Sequence, residues 1–507
     1  MRQFFLLGVL TGSVRADVSL APLFADHAVL QRDKPVPVWG RAEAGERVSV
    51  SFHGQVHAAT AGPDGRWIVF LDAIPASSEG TELTATGKNA ITIRDVVIGE
   101  VWLCSGQSNM EFMLKQAANA PAETAAANFP LIRHIKIMRQ AADAPTDSAA
   151  TTGWTGATPG TAGDFTAVGY FFAREIFRKL NVPIGLVNAT WGGTPIEAWM
   201  SPSAFAGSEP APAVSARWAE TVTAYPARKA DYDSALVGWN QREATAKAAS
   251  AAAYKTFLKD SPKPRAPRGA AGDPWTPTSL FNGMINPLLP YGLRGSLWYQ
   301  GESNADHAAE YRAQFAALIQ AWRAHFGQGD FPFYWVSLAN FRAPGDATNT
   351  TYAFLREAQT QALSLPNTGQ ALAIDIGNPD DVHPTNKQEV GRRLAALAKN
   401  RVYGTVGDDT GPTFLSATRE GSALRIRFTH ASAGLIAYDK PVQSLELAGA
   451  NKVFYPAMAR IERDSLLVSA PEVKEPVAVR YAWKNSPAAN LYNGAGLPAV
   501  PFRSDNW

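Results

Sequence analysis

Between about Val97 and Gly404, strand-like apolar runs alternate with segments whose apolar residues recur at helical spacing. Five runs are predicted as strands: Gly99–Cys104, Ile184–Asn188, Gly295–Tyr299, Phe333–Leu338 and Ala371–Asp375. Four segments are predicted as helices: Val168–Leu180, Ala308–Phe326, Phe354–Leu363 and Lys387–Lys399. Such alternation is typical of βαβ units. We therefore predict that residues 98–404 form an α/β domain with a parallel sheet flanked by helices.

Short β-rich runs flank this region on both sides. Those before it are separated by turn residues such as Ala61–Gly65, in which Pro63 presets one backbone angle and the glycines allow positive ones. The same rhythm returns after Gly404. We therefore predict small β-sandwich-like domains at residues 17–97 and 405–507.

Residues 202–273 interrupt the alternation, because they are rich in Ala, Lys and Glu and lack strand character. We predict a helical insertion in the α/β domain, followed by a loop over the Pro-rich stretch Ser261–Gly269. The basic residues of that loop, Lys263, Arg265 and Arg268, are interpreted as solvated rather than as a ligand site.

The N-terminus has the character of a secretory signal. Arg2 precedes the apolar run Phe4–Leu10, and Val14 and Ala16 suit signal peptidase. We predict a signal peptide at residues 1–16, the alternative being an ordinary N-terminal strand. Export would place the protein in the periplasm or outside the cell. The single cysteine, Cys104, excludes an intrachain disulfide, which fits the periplasm and the cytoplasm alike.

The composition argues against several classes of partner. The chain is 46% hydrophobic and 18% charged with a formal net charge of +2, so neither disorder nor a nucleic-acid-binding surface is indicated. No apolar run after the first sixteen residues approaches the roughly 20 residues that cross a bilayer. One cysteine cannot hold a metal cluster on thiolates alone.

A serine follows directly after the first predicted strand of the α/β region. Ser108 lies at the edge where α/β folds collect ligands, and a helix after it would point N-terminal amides at a developing negative charge. The alternative is that Ser108 only caps that helix. This motif alone does not separate the two interpretations.

A histidine and an acidic residue lie close together in the segment after the last predicted strand. His383 follows Asp380 by three residues, before the next helix. A nucleophilic serine needs a base, and the base needs an acceptor that fixes its tautomer. A lone loop histidine is usually a surface residue. Its joint occurrence with Ser108 favours a catalytic site.

Two further segments follow predicted strands. The double glycine Gly192–Gly193 offers amides that can approach an oxyanion closely, and Gln300 and Glu302 offer an amide donor and a carboxylate. The alternatives are a tight turn and a surface acid. Because four such strand ends fall on one sheet edge, we expect them to form one site.

Four motifs together resemble the sialate O-acetylesterase-like branch of the SGNH hydrolases: Gly106–Met110, Thr190–Gly193, Trp298–Asn304 and Asp380–His383. Two segments outside the α/β region, Phe24–Gln31 and Tyr481–Trp507, are similar to that group as well. The resemblance implies an SGNH-type, flavodoxin-like parallel sheet and a relationship to carbohydrate acetylesterases.

The resemblance also implies roles for single residues. Ser108 would be the nucleophile and His383 the general base. The oxyanion donors would be the amides of Ser108 and Gly193 and the side chain of Gln300. The chain lacks the Gly-x-Asn-Asp block of the SGNH pattern, so Asn304 receives no role as an oxyanion donor.

The acid that orients His383 stays open. SGNH enzymes usually take it from three residues before the histidine, here Asp380. In this branch the carboxylate after the Gln-Gly pair, here Glu302, can take that place. Asp381 is selected by neither pattern.

The implied function is a carbohydrate O-acetylesterase that acts on sialic acid or on plant polysaccharide such as xylan or xyloglucan through a serine acyl-enzyme. This implied mechanism requires no metal and no cofactor. The alternatives are a non-catalytic glycan-binding protein and an esterase for another acyl ester. Trp191, Trp199 and Trp298 offer faces for a sugar ring, although packing of the sheet edge is the preferred interpretation.

Overall fold

The computed structural model describes residues 17–507, and the predicted signal peptide at 1–16 lies outside them. The chain begins with strands only: β1 (Ser19–Leu20), β2 (Val29–Gln31), β3 (Val36–Arg41), β4 (Arg47–Phe52), β5 (Gln55–Thr60), β6 (Arg66–Leu71), β7 (Ser77–Thr86) and β8 (Ala90–Gly106). In β6, buried and exposed residues alternate strictly, because one face packs on a core and the other faces solvent.

Strands and helices then alternate, as the sequence predicts for this region. The elements are α1 (Ser108–Glu111), α2 (Ala120–Ala125), β9 (Phe129–Lys136), β10 (Thr155–Ala157), α3 (Ala167–Leu180), β11 (Ile184–Thr190), α4 (Pro202–Ala206), α5 (Ala211–Ala249), α6 (Ala251–Asp260), β12 (Gly295–Tyr299), α7 (Ala308–Phe326), β13 (Phe333–Val336), α8 (Thr351–Gln361), β14 (Thr368–Ala371) and α9 (Lys387–Arg401). The strands join one 11-stranded mixed sheet, in which β10-β9-β11-β8-β12-β13-β14 are successive neighbours.

The central part of this sheet is parallel. β8 lies between β11 and β12 and runs parallel to both. Helices α3 and α9 pack on one face, and α7 and α8 pack on the other. After β8, the chain forms β9, β10 and β11 on one side of β8. It then forms β12 on the other side of β8. Ligands bind outside the carboxyl ends of strands at such a crossing point.

One strand joins the N-terminal strands to the central sheet. The sequence suggests two strands and a domain boundary at residues 97 and 98, but β8 runs unbroken through that point. Its first half pairs with β7 and its second half with β11. Every residue from Val96 to Gly106 is buried, including Glu100, which is paired with Arg32 and Arg294. Burial on both faces removes the alternation that would have shown a single strand.

The segment at 202–273 holds α4, α5 and α6, followed by a stretch without helix from Ser261 onward. Only three residues of α5 are buried, namely Ala211, Val214 and Trp239. This long helix therefore presents most of its surface to solvent.

The C-terminal segment forms three small sheets around its own core. Its strands are β15 (Thr413–Glu420), β16 (Ala423–Thr429), β17 (Leu435–Ile436), β18 (Leu445–Ala448), β19 (Phe454–Pro456), β20 (Met458–Glu462), β21 (Ser465–Ser469), β22 (Ala478–Tyr481), β23 (Tyr492–Asn493) and β24 (Phe502–Arg503). The core includes Ile426, Leu447, Val468 and Tyr481. Among residues 17–507, no helix has the length and apolar character needed to cross a membrane.

Candidate active site

Ser108 lies at the carboxyl end of the central strand β8, as the first residue of α1. The chain turns sharply before it, because Gly106 has a φ of +125° and lies against the backbone of β12. A Cβ atom at Gly106 would lie 2.3 Å from the carbonyl oxygen of Tyr299, so only glycine fits there. The amide of Gln107 donates to the same carbonyl oxygen at 3.0 Å. The position of Ser108 is therefore fixed by backbone contacts between two adjacent strands.

The structure brings Ser108 and His383 together. Nε2 of His383 lies 2.8 Å from Oγ of Ser108, which is the distance expected between a nucleophile and its base. The imidazole also stacks on Phe112, with ring centroids 6.5 Å apart. Burial lowers the pKa of His383; the charge of Asp381 opposes this shift and that of Lys387 adds to it. The histidine is therefore neutral near pH 7, the form in which Nε2 accepts a proton.

The predicted contact between Asp380 and His383 does not form. The Asp380 carboxylate is exposed and pairs with Arg342 instead. Asp381 is the nearer acid: its Oδ1 lies 3.6 Å from Nδ1 of His383 and accepts a hydrogen bond of 2.9 Å from the His383 amide. The amide of Asp380 is bonded to Asn378, in a turn that directs neighbouring side chains apart. The spacing rule selects a residue by its distance along the chain, and the turn decides which carboxylate reaches the ring.

Glu302 reaches the turn that carries the serine, and its contact there is with Asn109 rather than His383. Nδ2 of Asn109 donates to Oε1 of Glu302 at 2.6 Å and to the carbonyl oxygen of Val382 at 3.0 Å. Burial raises the pKa of Glu302, and its Oε2 is buried without a hydrogen-bond partner among residues 17–507. Through Asn109, Glu302 connects the serine turn to the histidine loop.

Lys387 is a site residue that sequence reasoning missed. Its Nζ donates to Oδ1 of Asn109 at 2.5 Å and lies over the rings of Phe112 and Tyr299, 4.8 and 5.3 Å from their centroids. Burial lowers its pKa to about 7, although the charges of Glu302 and Asp381 favour the ammonium. A lysine at the start of a helix is normally exposed. The signal in the sequence that could have indicated Lys387 as a site residue is its position four residues after His383.

The turn after β11 lies beside Ser108. A Cβ atom at Gly192 would lie 3.2 Å from the Cβ of Ser108, and the Gly192 amide donates to Glu111 at 2.9 Å. Gly193 has a φ of +74°. Within residues 17–507, neither the Gly193 amide nor the Ser108 amide donates a hydrogen bond to another protein group. The two predicted backbone donors are therefore unengaged.

Gln300 does not have the geometry of an oxyanion donor. Its Nε2 donates to Oδ1 of Asn304 at 2.7 Å and to the carbonyl oxygen of Thr194 at 3.2 Å, so both hydrogens are engaged. The side chain is completely buried. Asn304 in turn donates to Glu197 at 2.9 Å. Gln300 therefore supports the turn that carries Gly193 instead of facing the serine.

Comparison with known proteins identifies the family. A family model described as a carbohydrate esterase, sialic acid-specific acetylesterase, matches residues 98–261 and 264–400. The chain belongs to this family. The sialate O-acetylesterases of Rattus norvegicus and Mus musculus are 31% and 28% identical to it; the alignments cover 75% and 94% of this chain and 72% and 92% of theirs. A carbohydrate acetylesterase from Xanthomonas citri has a similar crystal structure, with a TM-score of 0.80 and 39% identity over 97% of this chain and 100% of that one.

The family predicted from the four motifs is thus confirmed, and the protein is a carbohydrate acetylesterase. Beside Ser108 this esterase has an open cavity of about 580 Å³. Glu111 lies in its wall and bonds Arg139 at 2.7 Å and Lys136 at 3.1 Å. Burial alone would raise the pKa of Glu111, but these two cations outweigh it and lower the pKa. The cavity wall is therefore a fixed cluster of charges.

The three tryptophans near the motifs differ in exposure. Trp199 and Trp298 are completely buried and pack edge to face, with centroids 6.1 Å apart. Trp191 is only partly buried, and the guanidinium of Arg139 lies 5.5 Å from its ring centroid. Packing therefore explains Trp199 and Trp298, and Trp191 is the one of the three that keeps exposed surface.

Proposed function

We propose that this esterase removes O-acetyl groups from carbohydrate through a covalent acetyl-enzyme on Ser108. The observation that carries the proposal is the 2.8 Å contact between Ser108 Oγ and His383 Nε2. A neutral imidazole at this distance is placed to take the hydroxyl proton as the serine attacks. Both groups border the open cavity, where an ester can approach them.

In the first step, Ser108 Oγ attacks the acetyl carbonyl carbon and His383 Nε2 accepts its proton. The oxyanion forms where the amides of Ser108 and Gly193 donate, each worth on the order of 3 kcal/mol in such a site. The bond to the sugar oxygen breaks as His383 gives it the proton, so the sugar leaves with a free hydroxyl. In the second step, water attacks the acetyl-enzyme as His383 takes its proton. His383 then protonates the departing Ser108 Oγ, and acetate leaves.

The charge that forms on His383 is stabilised by Asp381 across 3.6 Å. The serine turn is held against the histidine loop by the hydrogen bonds that Asn109 makes with Glu302 and Lys387. In this proposal Asp381 takes the role that the sequence left open between Asp380 and Glu302. Glu302 becomes a positioning residue.

We propose an SGNH-type fold for residues 98–404, flanked by β-rich regions at 17–97 and 405–507, the first of which shares strand β8 with the central sheet. The parallel order of β11, β8 and β12, with the serine directly after the central strand, supports this assignment. We also propose that the protein is exported to the periplasm or outside the cell, on the N-terminal signal motif. The relatives are a sialate O-acetylesterase and a carbohydrate acetylesterase, so we propose O-acetylated sialic acid or an O-acetylated plant polysaccharide as substrate.

Acetate release by the purified protein and its Ser108→Ala variant tests the proposal. The substrates are 4-nitrophenyl acetate, O-acetylated sialic acid and acetylated xylan or xyloglucan fragments. Ser422→Ala is a matched control, because Ser422 is exposed in a turn of the C-terminal segment. We expect Ser108→Ala alone to abolish release from every substrate. Release that persists in Ser108→Ala would overturn the serine mechanism.

A further inference from the structure

A second cavity lies where the helical insertion meets the α/β region. It has a volume of about 340 Å³, and we call it the insertion pocket. Helix α5 supplies Trp218 and Arg228, the loop after α6 supplies Arg268 and Trp275, and the strand ends supply Glu197 and Ser303. None of these residues borders the cavity beside Ser108. The insertion therefore builds one wall of a site that the esterase chemistry does not use.

The insertion pocket is connected to the turn after β11 that contains Gly192 and Gly193. Nε1 of Trp275 donates to the carbonyl oxygen of Gly193 at 2.7 Å. The preceding glycine, Gly192, packs against Ser108 on the other side of the same turn. This turn therefore contacts one lining residue of each cavity, Trp275 of the insertion pocket and Ser108 of the cavity beside it.

The pocket has aromatic surface suited to a sugar. Trp218 and Trp275 are both partly exposed. The indole of Trp275 is held in place by its bond to Gly193 and by the guanidinium of Arg268, which lies 5.0 Å from its ring centroid. Fixed aromatic faces beside polar groups are the usual means of holding a ring that is apolar on its faces and polar at its edge.

Of the arginines that line the pocket, two have carboxylate partners within the described residues and one does not. Arg217 donates to both carboxylate oxygens of Glu310, at 2.8 and 2.5 Å. Arg268 lies 3.5 Å from Asp273, whose carboxylate already accepts from two backbone amides. Arg228 is exposed and makes no ion pair or hydrogen bond with any side chain of residues 17–507. The pocket therefore has a cation that no carboxylate in the described part of the chain contacts.

Glu197 does not supply the missing anion. It is half-buried in the wall of the pocket, where one carboxylate oxygen accepts from Asn304 at 2.9 Å. Burial raises its pKa, which favours the uncharged carboxyl. Arginine binds carboxylates through paired hydrogen bonds, so the unpaired guanidinium indicates an acidic ligand.

We propose that the insertion pocket binds a carboxylate-bearing sugar unit of the same glycan whose acetyl group lies at Ser108. One sugar ring packs on Trp218 and Trp275, and its carboxylate pairs with Arg228. This inference rests on the proposed function, which places the acetylated sugar unit of the same glycan at Ser108. It assigns the helical insertion a role in selecting acidic oligosaccharides.

Calorimetric titration of the Ser108→Ala variant measures this binding without turnover. The probes are unacetylated: a galacturonic acid tetramer, a sialic acid dimer and a neutral xylose tetramer. We expect one of the two acidic probes to bind about tenfold more tightly than the neutral one. The tighter acidic probe identifies the source of the carboxylate. Equal binding of acidic and neutral probes, or binding of none, overturns the proposal.

Two variants in the same background locate the binding. Arg228→Ala and Trp218→Ala should each weaken the preferred acidic probe about fivefold or more. Arg242→Ala is the matched control, since Arg242 is also exposed on α5 and lies outside the pocket. Unchanged affinity in both pocket variants overturns the proposal. Hydrolysis of 4-nitrophenyl acetate by the wild type reports separately on the esterase, so failure of one proposal is distinct from failure of the other.

Discussion

Replacing Asp381 with asparagine should slow the esterase only modestly. The carboxylate lies 3.6 Å from Nδ1 of His383, beyond a normal hydrogen bond, and its side chain is 55% exposed. Two unit charges at that distance in water attract each other by about 1 kcal/mol. Losing that attraction lowers kcat/KM by about five- to tenfold. A buried triad aspartate that bonds its histidine directly is worth roughly 10⁴-fold in kcat.

The assay is hydrolysis of 4-nitrophenyl acetate by the wild type, Asp381→Asn and Asp380→Asn. Asp380 faces Arg342, so its replacement should change kcat/KM by less than about twofold, as for an ordinary surface ion pair. A loss near 10⁴-fold in Asp381→Asn would refute the reasoning, because it would require a direct hydrogen bond during turnover. A larger loss in Asp380→Asn than in Asp381→Asn would refute it as well.

Three further predictions follow from the site. Because burial lowers the pKa of His383 below its ordinary 6.5, kcat/KM should reach half its maximum below pH 6.5, and a pH profile with a higher midpoint contradicts this. Gly106→Ala should lower the free energy of unfolding by about 2 kcal/mol in urea titrations, because the added Cβ meets Tyr299 at 2.3 Å; unchanged stability contradicts the turn geometry. Folding lowers the pKa of Lys387 from 10.5 to about 7, so the unfolded chain binds more protons between those values and stability rises with pH there. Lys387→Met should flatten that rise. The measurement is the free energy of unfolding, from urea titrations at several pH values above 7. If this free energy rises with pH as steeply in the variant as in the wild type, the burial of the amine is contradicted.

The alternation of strands and helices could be predicted because apolar residues recur with different periods in helices and in strands. The boundary between the N-terminal strands and the central sheet was not, since β8 is buried on both faces and carries Glu100 in its middle. A new strand is predicted to begin at Gly99, although Glu100 lies within the unbroken β8. Arg32 and Arg294, distant in sequence, are what allow the strand to continue.

Within the site, the residues fixed by local geometry were predictable and those fixed by distant partners were not. Ser108 follows β8 closely and His383 lies in the loop between β14 and α9, so the order of the strands brings both to the same edge of the sheet. Gln300 was expected to face the oxyanion, but Asn304 and Thr194 take both of its hydrogens. Lys387 becomes part of the site only through Asn109 and two aromatic rings, which no spacing along the chain reveals.

Covalent labelling of Ser108 tests the central claim most directly. A diethyl 4-nitrophenyl phosphate reagent transfers its phosphoryl group to an activated serine Oγ and releases nitrophenolate, and peptide mass spectrometry then locates the modified residue. The account predicts one label, on Ser108, with loss of activity in proportion to labelling and no reaction in a His383→Ala variant. Full inactivation with the label on another residue, or acetate release by a protein fully labelled at Ser108, would contradict it.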